Sequence, residues 1–172
     1  MMDLNYQQHI PADFSDNSKV WIYQSSRLFT MSEAFDIEDI LTDFIANWKS
    51  HGAAVKGYAN LFFGQFIILM ADETEATVGG CSTDSSVHAI QAIEKKCKVD
   101  LFNRQMLAFI RHDKLQMLPL NQLNYAFENK FIEEDTLYFN NLITTKKMLL
   151  TEWLVPIKNS WLNARIKQKV SL

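Results

Sequence analysis

The chain has 172 residues, 48% of them hydrophobic, with three prolines, five glycines and a net charge of −3. That is about one domain's length with enough apolar content for a sizeable core, which argues against disorder and against a fold that depends on disulfides or metals. No basic run dominates, so no nucleic-acid partner is expected. The longest apolar run, Phe66 to Ala71, is far too short to cross a bilayer, so no membrane is expected either.

Residues 1–18 are polar, carry Pro11 and an Asp/Ser/Asn cluster, and read as a loop that lies over the domain or frays. Val20 to Gln24 is rich in β-formers and reads as the first strand. Thr30 and Glu33 have capping-box spacing, and Ile37, Ile40, Leu41, Phe44, Ile45 and Trp48 recur at helical spacing up to Gly52. The first helix is therefore predicted over about 31–51. Ala53 to Ala59 reads as a weaker second strand and Phe62 to Ala71 as a third. The continuously apolar centre of the third, Phe66 to Met70, suits a strand buried on both faces.

Gly79-Gly80-Cys81-Ser82-Thr83-Asp84-Ser85-Ser86 then opens a second helix, with Val87, Ile90, Ile93 and Cys97 predicted on its inner face. A hairpin is predicted around Arg111 to Lys114, with a helix from Pro119 to Phe127 and a short strand at Leu137 to Phe139. A helix capped by Thr144 or Thr145 follows through Trp153. Pro156 breaks it before a last helical piece near Trp161, and Trp153 and Trp161 read as a packing clasp for this end. Charge is uneven. Residues 1–50 hold three basic and eight acidic side chains, whereas residues 146–172 hold six and one, including a cationic tail of Arg165, Lys167 and Lys169.

The order β-α-β-β-α-β is that of a ferredoxin-like, α+β sheet. The expectation is a single domain: a loop over 1–18, a sheet core over 19–118 and a mostly helical extension over 119–172. Strands one and three are expected side by side and parallel. Their ends would then gather Ser25, Arg27, Asp72 and Glu73 with Cys81, Ser82, Thr83, Asp84 and Ser85 at the second helix's N-terminus, where free N–H groups favour an anion or a cap.

Each group there has an ordinary structural use as well. Ser, Thr and Asp cap helices. Cys81, at a helix start, has the setting of an activated thiol, but it needs a base. His88 is two turns away and pairs better with Asp84, while His51 is expected at the far end of the first helix. Asp72, Glu73 and Asp84 form a possible hard-cation set, yet no metal site is identified, zinc spacing is absent, and the sequence names no cofactor. Cys81 and Cys97, sixteen residues apart on one helix, are too distant to bridge. Free thiols and a polar N-terminus without an apolar leader point to a cytoplasmic location.

The segments Ile10 to Ser18, Val20 to Gln24, Gln65 to Glu73, Gly80 to Val87 and Asp135 to Asn141 together resemble a family of short bacterial proteins of unassigned activity. Its members often carry the label ABC transporter ATPase. This chain has no glycine followed by a lysine and a hydroxyl residue, hence no phosphate loop, and no Leu-Ser-Gly-Gly-Gln signature. The reading is a non-catalytic module that binds a small ligand or protein partner. The alternative is an enzyme with its site at Gly79 to Ser86 and the end of strand three. The sequence leaves the oligomeric state open.

Overall fold

The computed structural model describes residues 1–170, with side chains of the last helix described as far as Lys167. The side chain of Lys169, read above as part of the cationic tail, lies outside the described residues. The chain is α+β and forms two compact units. One comprises Tyr6–Asn103 and Leu142–Leu150; the other comprises Met1–Asn5, Arg104–Asn141 and the chain from Thr151 onward.

The first unit contains β1 (Lys19–Gln24), α1 (Met31–Asn47), β2 (Lys49–Ser50), β3 (Ala53–Ala54), β4 (Lys56–Phe62), β5 (Phe66–Asp72) and α2 (Gly80–Cys97). α1 starts as predicted. Thr30 Oγ1 accepts from Glu33 N, and the Glu33 carboxylate accepts from Thr30 N, which satisfies two donors that a helix start leaves open. It ends at Asn47 rather than near 51. Trp48 leaves the helical path to be buried with Val55, Ala71 and Val78. His51 and Gly52, both at positive φ, form a two-residue turn between β2 and β3. Gly52 is therefore a hairpin residue and not a helix stop.

The second and third predicted strands are divided differently in the fold. Positive φ at Phe63 and Gly64 turns the chain there, so Phe62 belongs to β4 and β5 starts at Phe66. At Gly57 a Cβ would lie 2.8 Å from the Trp48 ring, so only glycine lets β4 pass under that side chain.

The strands lie in the order β1-β5-β4, and β5 runs antiparallel to both neighbours. The parallel pairing expected of the first and third strands is thus corrected. The α1 crossover leaves β1 and β4 running the same way, and the tight turn at Phe63–Gly64 reverses the chain into β5, which inserts between them. The β-α-β-β-α portion of the ferredoxin-like order occupies one sheet, but its closing strand does not join it. Residues 106–111 pair in another sheet, and the outer edge of β1 is met by Thr144 and Lys146 instead: Val20 N donates to Thr144 O and Lys146 N to Ser18 O.

β5 is buried along its whole length, as its apolar run requires of a central strand. On one face Ile67 and Leu69 pack with Ile37 and Leu41 of α1 and Ile90 and Ile93 of α2. On the other, Tyr6, Ile10 and Phe14 of the N-terminal segment are buried; Ser15 N donates to the Asp72 carboxylate and Phe14 meets Tyr58 edge-on.

The second unit contains β6 (Met106–Arg111), β7 (Lys114–Pro119), α3 (Leu123–Glu128), β8 (Leu137–Phe139), β9 (Leu154–Pro156) and α5 (Trp161–Val170). The assignment changes within α4 (Lys146–Glu152), whose first five residues belong to the first unit. The sheet order is β7-β6-β8-β9, antiparallel throughout. Beyond Pro119 the described chain has more helix than strand, and its two short strands, β8 and β9, extend the predicted β6–β7 hairpin into a sheet. Leu107, Phe109, Ile132, Tyr138, Ile157 and Leu162 are among its buried core. Trp153, fully buried, donates from Nε1 to Asn141 Oδ1, and Trp161 donates to the Tyr138 hydroxyl.

Candidate functional site

The antiparallel direction of β5 separates the residues expected to converge. Gln24 at the end of β1 pairs with Phe66 at the start of β5, whereas Asp72 at the end of β5 lies beyond the Lys19–Ala71 pair. Ser25 and Arg27 thus sit at one end of the sheet and Asp72 and Glu73 at the other. Arg27 makes the separation explicit. Its guanidinium grips Glu33 with two 2.9 Å bonds and donates to Cys97 O at 2.7 Å, which fixes it at the C-terminal end of α2. Cys81 is sixteen residues away on that helix, about 24 Å by helical rise.

Arg27 is committed to structure. It holds the Glu33 carboxyl down at about 2, chiefly through the side-chain hydrogen bond, with the Thr30 N–H adding to it. The Ser25 hydroxyl accepts from Arg27 N at 3.3 Å. Asp72 is equally occupied. It accepts from Thr74 Oγ1 and Thr74 N and from Ser15 N, with Lys56 Nζ at 3.8 Å, and these donors hold it at about 2. Glu73 accepts from Val78 N and pairs with Lys19 at 3.1 Å.

The Ser-rich run does not cap α2. The N-cap is Gly79, and no side chain caps it. The run lies inside the first turns, and every hydroxyl there donates to a carbonyl: Ser82 to Lys49 O, Thr83 to Gly79 O, Ser85 to Cys81 O and Ser86 to Thr83 O. The last three are local back-bonding onto the preceding turn, whereas Ser82 reaches across to β2. Ser82 and Ser86 join Ile90, Ile93 and Cys97 on the buried face in place of the predicted Val87, which is half-buried. Their small size brings α2 close enough for Trp48 Nε1 to donate to Ser82 O.

Asp84 and His88 are exposed, and no ion pair joins them among the described residues. His51, expected at the far end of the first helix and so away from Cys81, does follow α1, but the β2–β3 turn sets it beside Gly79. Its Nε2 would lie 3.1 Å from a Cβ at that glycine. The exposed Cys81 thiol makes no hydrogen bond to it. Among the described residues, no group of three or more His, Cys, Asp or Glu side chains is arranged to hold a metal ion.

A different feature has the shape of a binding site. A groove of about 790 Å³ opens between α1 and β4. Its helix wall carries Met31, Phe35 and Glu38, and its strand wall carries Ala59 and Leu61. Met31 and Phe35 are 74% and 62% exposed, unusual for large apolar side chains one helical turn apart. They form a second apolar stripe, distinct from the buried Ile37 and Leu41 stripe. That pair at spacing i, i+4 outside the inner face is the signal the sequence carries for this groove.

The strand wall is a sheet edge. β4 pairs with β5 on one side and with no other strand among those described. Leu61 N is taken by the neighbouring Asn60 Oδ1, so it points away from β5, and strand alternation puts the N–H and C=O of Gly57 and Ala59 on the same open edge. α1 carries five carboxylates and no basic residue. Arg27 pairs with Glu33 and Lys96 with Asp36, which leaves Glu38, Asp39 and Asp43 without an ion pair among the described residues. No helix among the described residues is long and apolar enough to cross a membrane.

Compared with protein-family models, curated proteins and solved structures, the chain matches none.

Proposed function

We propose that this protein is a non-catalytic partner-binding module that takes an extended polypeptide segment along the open edge of β4. The segment adds as a strand, its main chain bonding to the outward groups of Gly57, Ala59 and Leu61. Its apolar side chains enter the groove against Met31 and Phe35, and its basic side chains face Glu38, Asp39 and Asp43. Main-chain pairing supplies affinity in this mode, and pockets for alternate side chains supply selectivity. The observation that carries the reading is the coincidence of an unpaired strand edge with an apolar groove walled by a helix whose charge is all of one sign.

The test is fluorescence anisotropy with labelled extended peptides that alternate apolar residues with lysine, and matched peptides that alternate them with glutamate. The lysine series should bind, the glutamate series should not, and added salt should weaken the complex. Ala59→Pro removes an outward N–H without touching the β4–β5 ladder, a position where an edge strand tolerates proline. It and Phe35→Asp should each weaken binding about tenfold or more, while β5 stays protected from hydrogen exchange. Equal binding of both series, or binding indifferent to both substitutions, would sink the proposal.

A further inference from the structure

A second recess, wholly within the second unit, opens at the tip of the β6–β7 hairpin. It has a volume of about 310 Å³ and is lined by Arg111, His112, Lys130, Phe131, Glu133 and Thr136, together with Ile110. The backbone puts the cations there. Arg111 ends β6 directly opposite Lys114, the first residue of β7. Like charges placed directly across a ladder destabilise it. His112 lies in the two-residue turn at positive φ, and Lys130 follows α3, also at positive φ.

Arg111 is oriented rather than neutralised. Its guanidinium lies over the Phe131 ring at 3.8 Å, and Nη1 donates to Gln116 Oε1 at 3.3 Å. None of Arg111, His112, Lys114 and Lys130 makes an ion pair among the described residues. The remaining donors of the guanidinium fork meet no acceptor among the described residues. Thr136 Oγ1 accepts from Glu133 N at 2.8 Å, and its own proton is left to donate. The nearby Asp135 is already held by Lys158.

We propose that this recess binds the phosphate group of a small phosphate monoester. Arg111 engages two oxygens through its fork, and Lys130 with the Thr136 hydroxyl reaches the third, while Ile110 and Phe131 give the organic body an apolar surface. Donors arriving from a planar fork, a point charge and a hydroxyl suit a tetrahedral group better than a flat carboxylate. Asp113 in the turn and Glu133 on the wall are negative, which disfavours an extended polyanion.

The test is a titration of the ¹⁵N-labelled full chain, at constant ionic strength, with inorganic phosphate, phenyl phosphate and acetate. Amide resonances of residues 110–114 and 130–136 should shift saturably with both phosphates and not with acetate. Tighter binding of phenyl phosphate identifies an organic ester as the ligand, and equal binding identifies free phosphate, which retains the site but overturns the ester assignment. Arg111→Gln should raise the dissociation constant about tenfold. Because that change also removes the stack on Phe131, Lys130→Gln serves as the second variant, lowering charge while the stack remains. Shifts matched by acetate, or constants unchanged in both variants, overturn the site.

Discussion

Asp72 illustrates how much one buried side chain can organise. Its carboxylate ties the N-terminal segment to the sheet through Ser15 and closes the strand end through Thr74. Those donors depress its folded value to about 2, below the roughly 3.9 of an unfolded Asp. A depressed value means stability that is present above the unfolded pKa and lost as pH falls through the folded one. Asp72→Asn should therefore cost on the order of 1–2 kcal/mol at pH 7 in urea unfolding. The gap between variant and parent should close as the pH is lowered from about 4 to 2; a gap that persists there would show that Asp72 acts through packing alone. The cysteines separate just as clearly. Cys81 is exposed, whereas Cys97 is buried and its thiol is pushed up, chiefly by desolvation. Iodoacetamide at neutral pH should label Cys81 first, read by mass spectrometry of the two peptides; faster labelling of Cys97 would mean that the C-terminal end of α2 opens in solution.

Among the elements, β5 carries the first unit. It pairs with a strand on each edge, packs on both faces, and its Ile68 side chain is fully buried. Ile68→Ala should cost about 2–5 kcal/mol, the usual range for deleting a large core side chain. A tolerated Ile68→Ala would contradict the central placement of β5. β4 is the opposite kind of strand, half-exposed and open on one edge, and natural sheets usually protect such edges. Here protection is partial: Asn60 covers one N–H, and the rest of the edge faces the groove. α1 likewise has two apolar stripes, one buried in the core and one presented to solvent at Met31 and Phe35.

For the whole molecule, the two proposed sites lie in different units, the peptide groove in the first and the anion recess in the second. Neither supplies the features of an ATPase. A phosphate loop wraps its anion in glycine-rich backbone N–H groups with a lysine behind them, and Gly79-Gly80-Cys81-Ser82 has no such lysine. Calorimetric titration with MgATP should show no micromolar binding, that is, nothing near −8 kcal/mol. Heat of that size would reopen the ATPase label that the family resemblance suggests.

Local chemistry was legible in the residues themselves. The Thr30–Glu33 capping box, the apolar run of β5, the hairpin at Arg111 to Lys114 and the short strand at Leu137 to Phe139 each depend on neighbours a few positions away, and each is found in the structure. Gly52 shows the limit, because the same glycine signals a helix stop or a hairpin turn, and the burial of Trp48 against distant Val55, Ala71 and Val78 decides for the turn. The direction of β5 was implicit, since a strand joined by a tight turn to β4 must oppose it, and hence oppose β1. Which strands share a sheet was not, because pairing is non-local and Met106–Arg111 has the same β-forming composition whether its second neighbour, beside β7, is β1 or β8. The site followed the topology. Ser25 and Arg27 are parted from Asp72 and Cys81 by one strand's direction, and the groove exists only because the β2–β3 hairpin folds α1 back beside an open sheet edge.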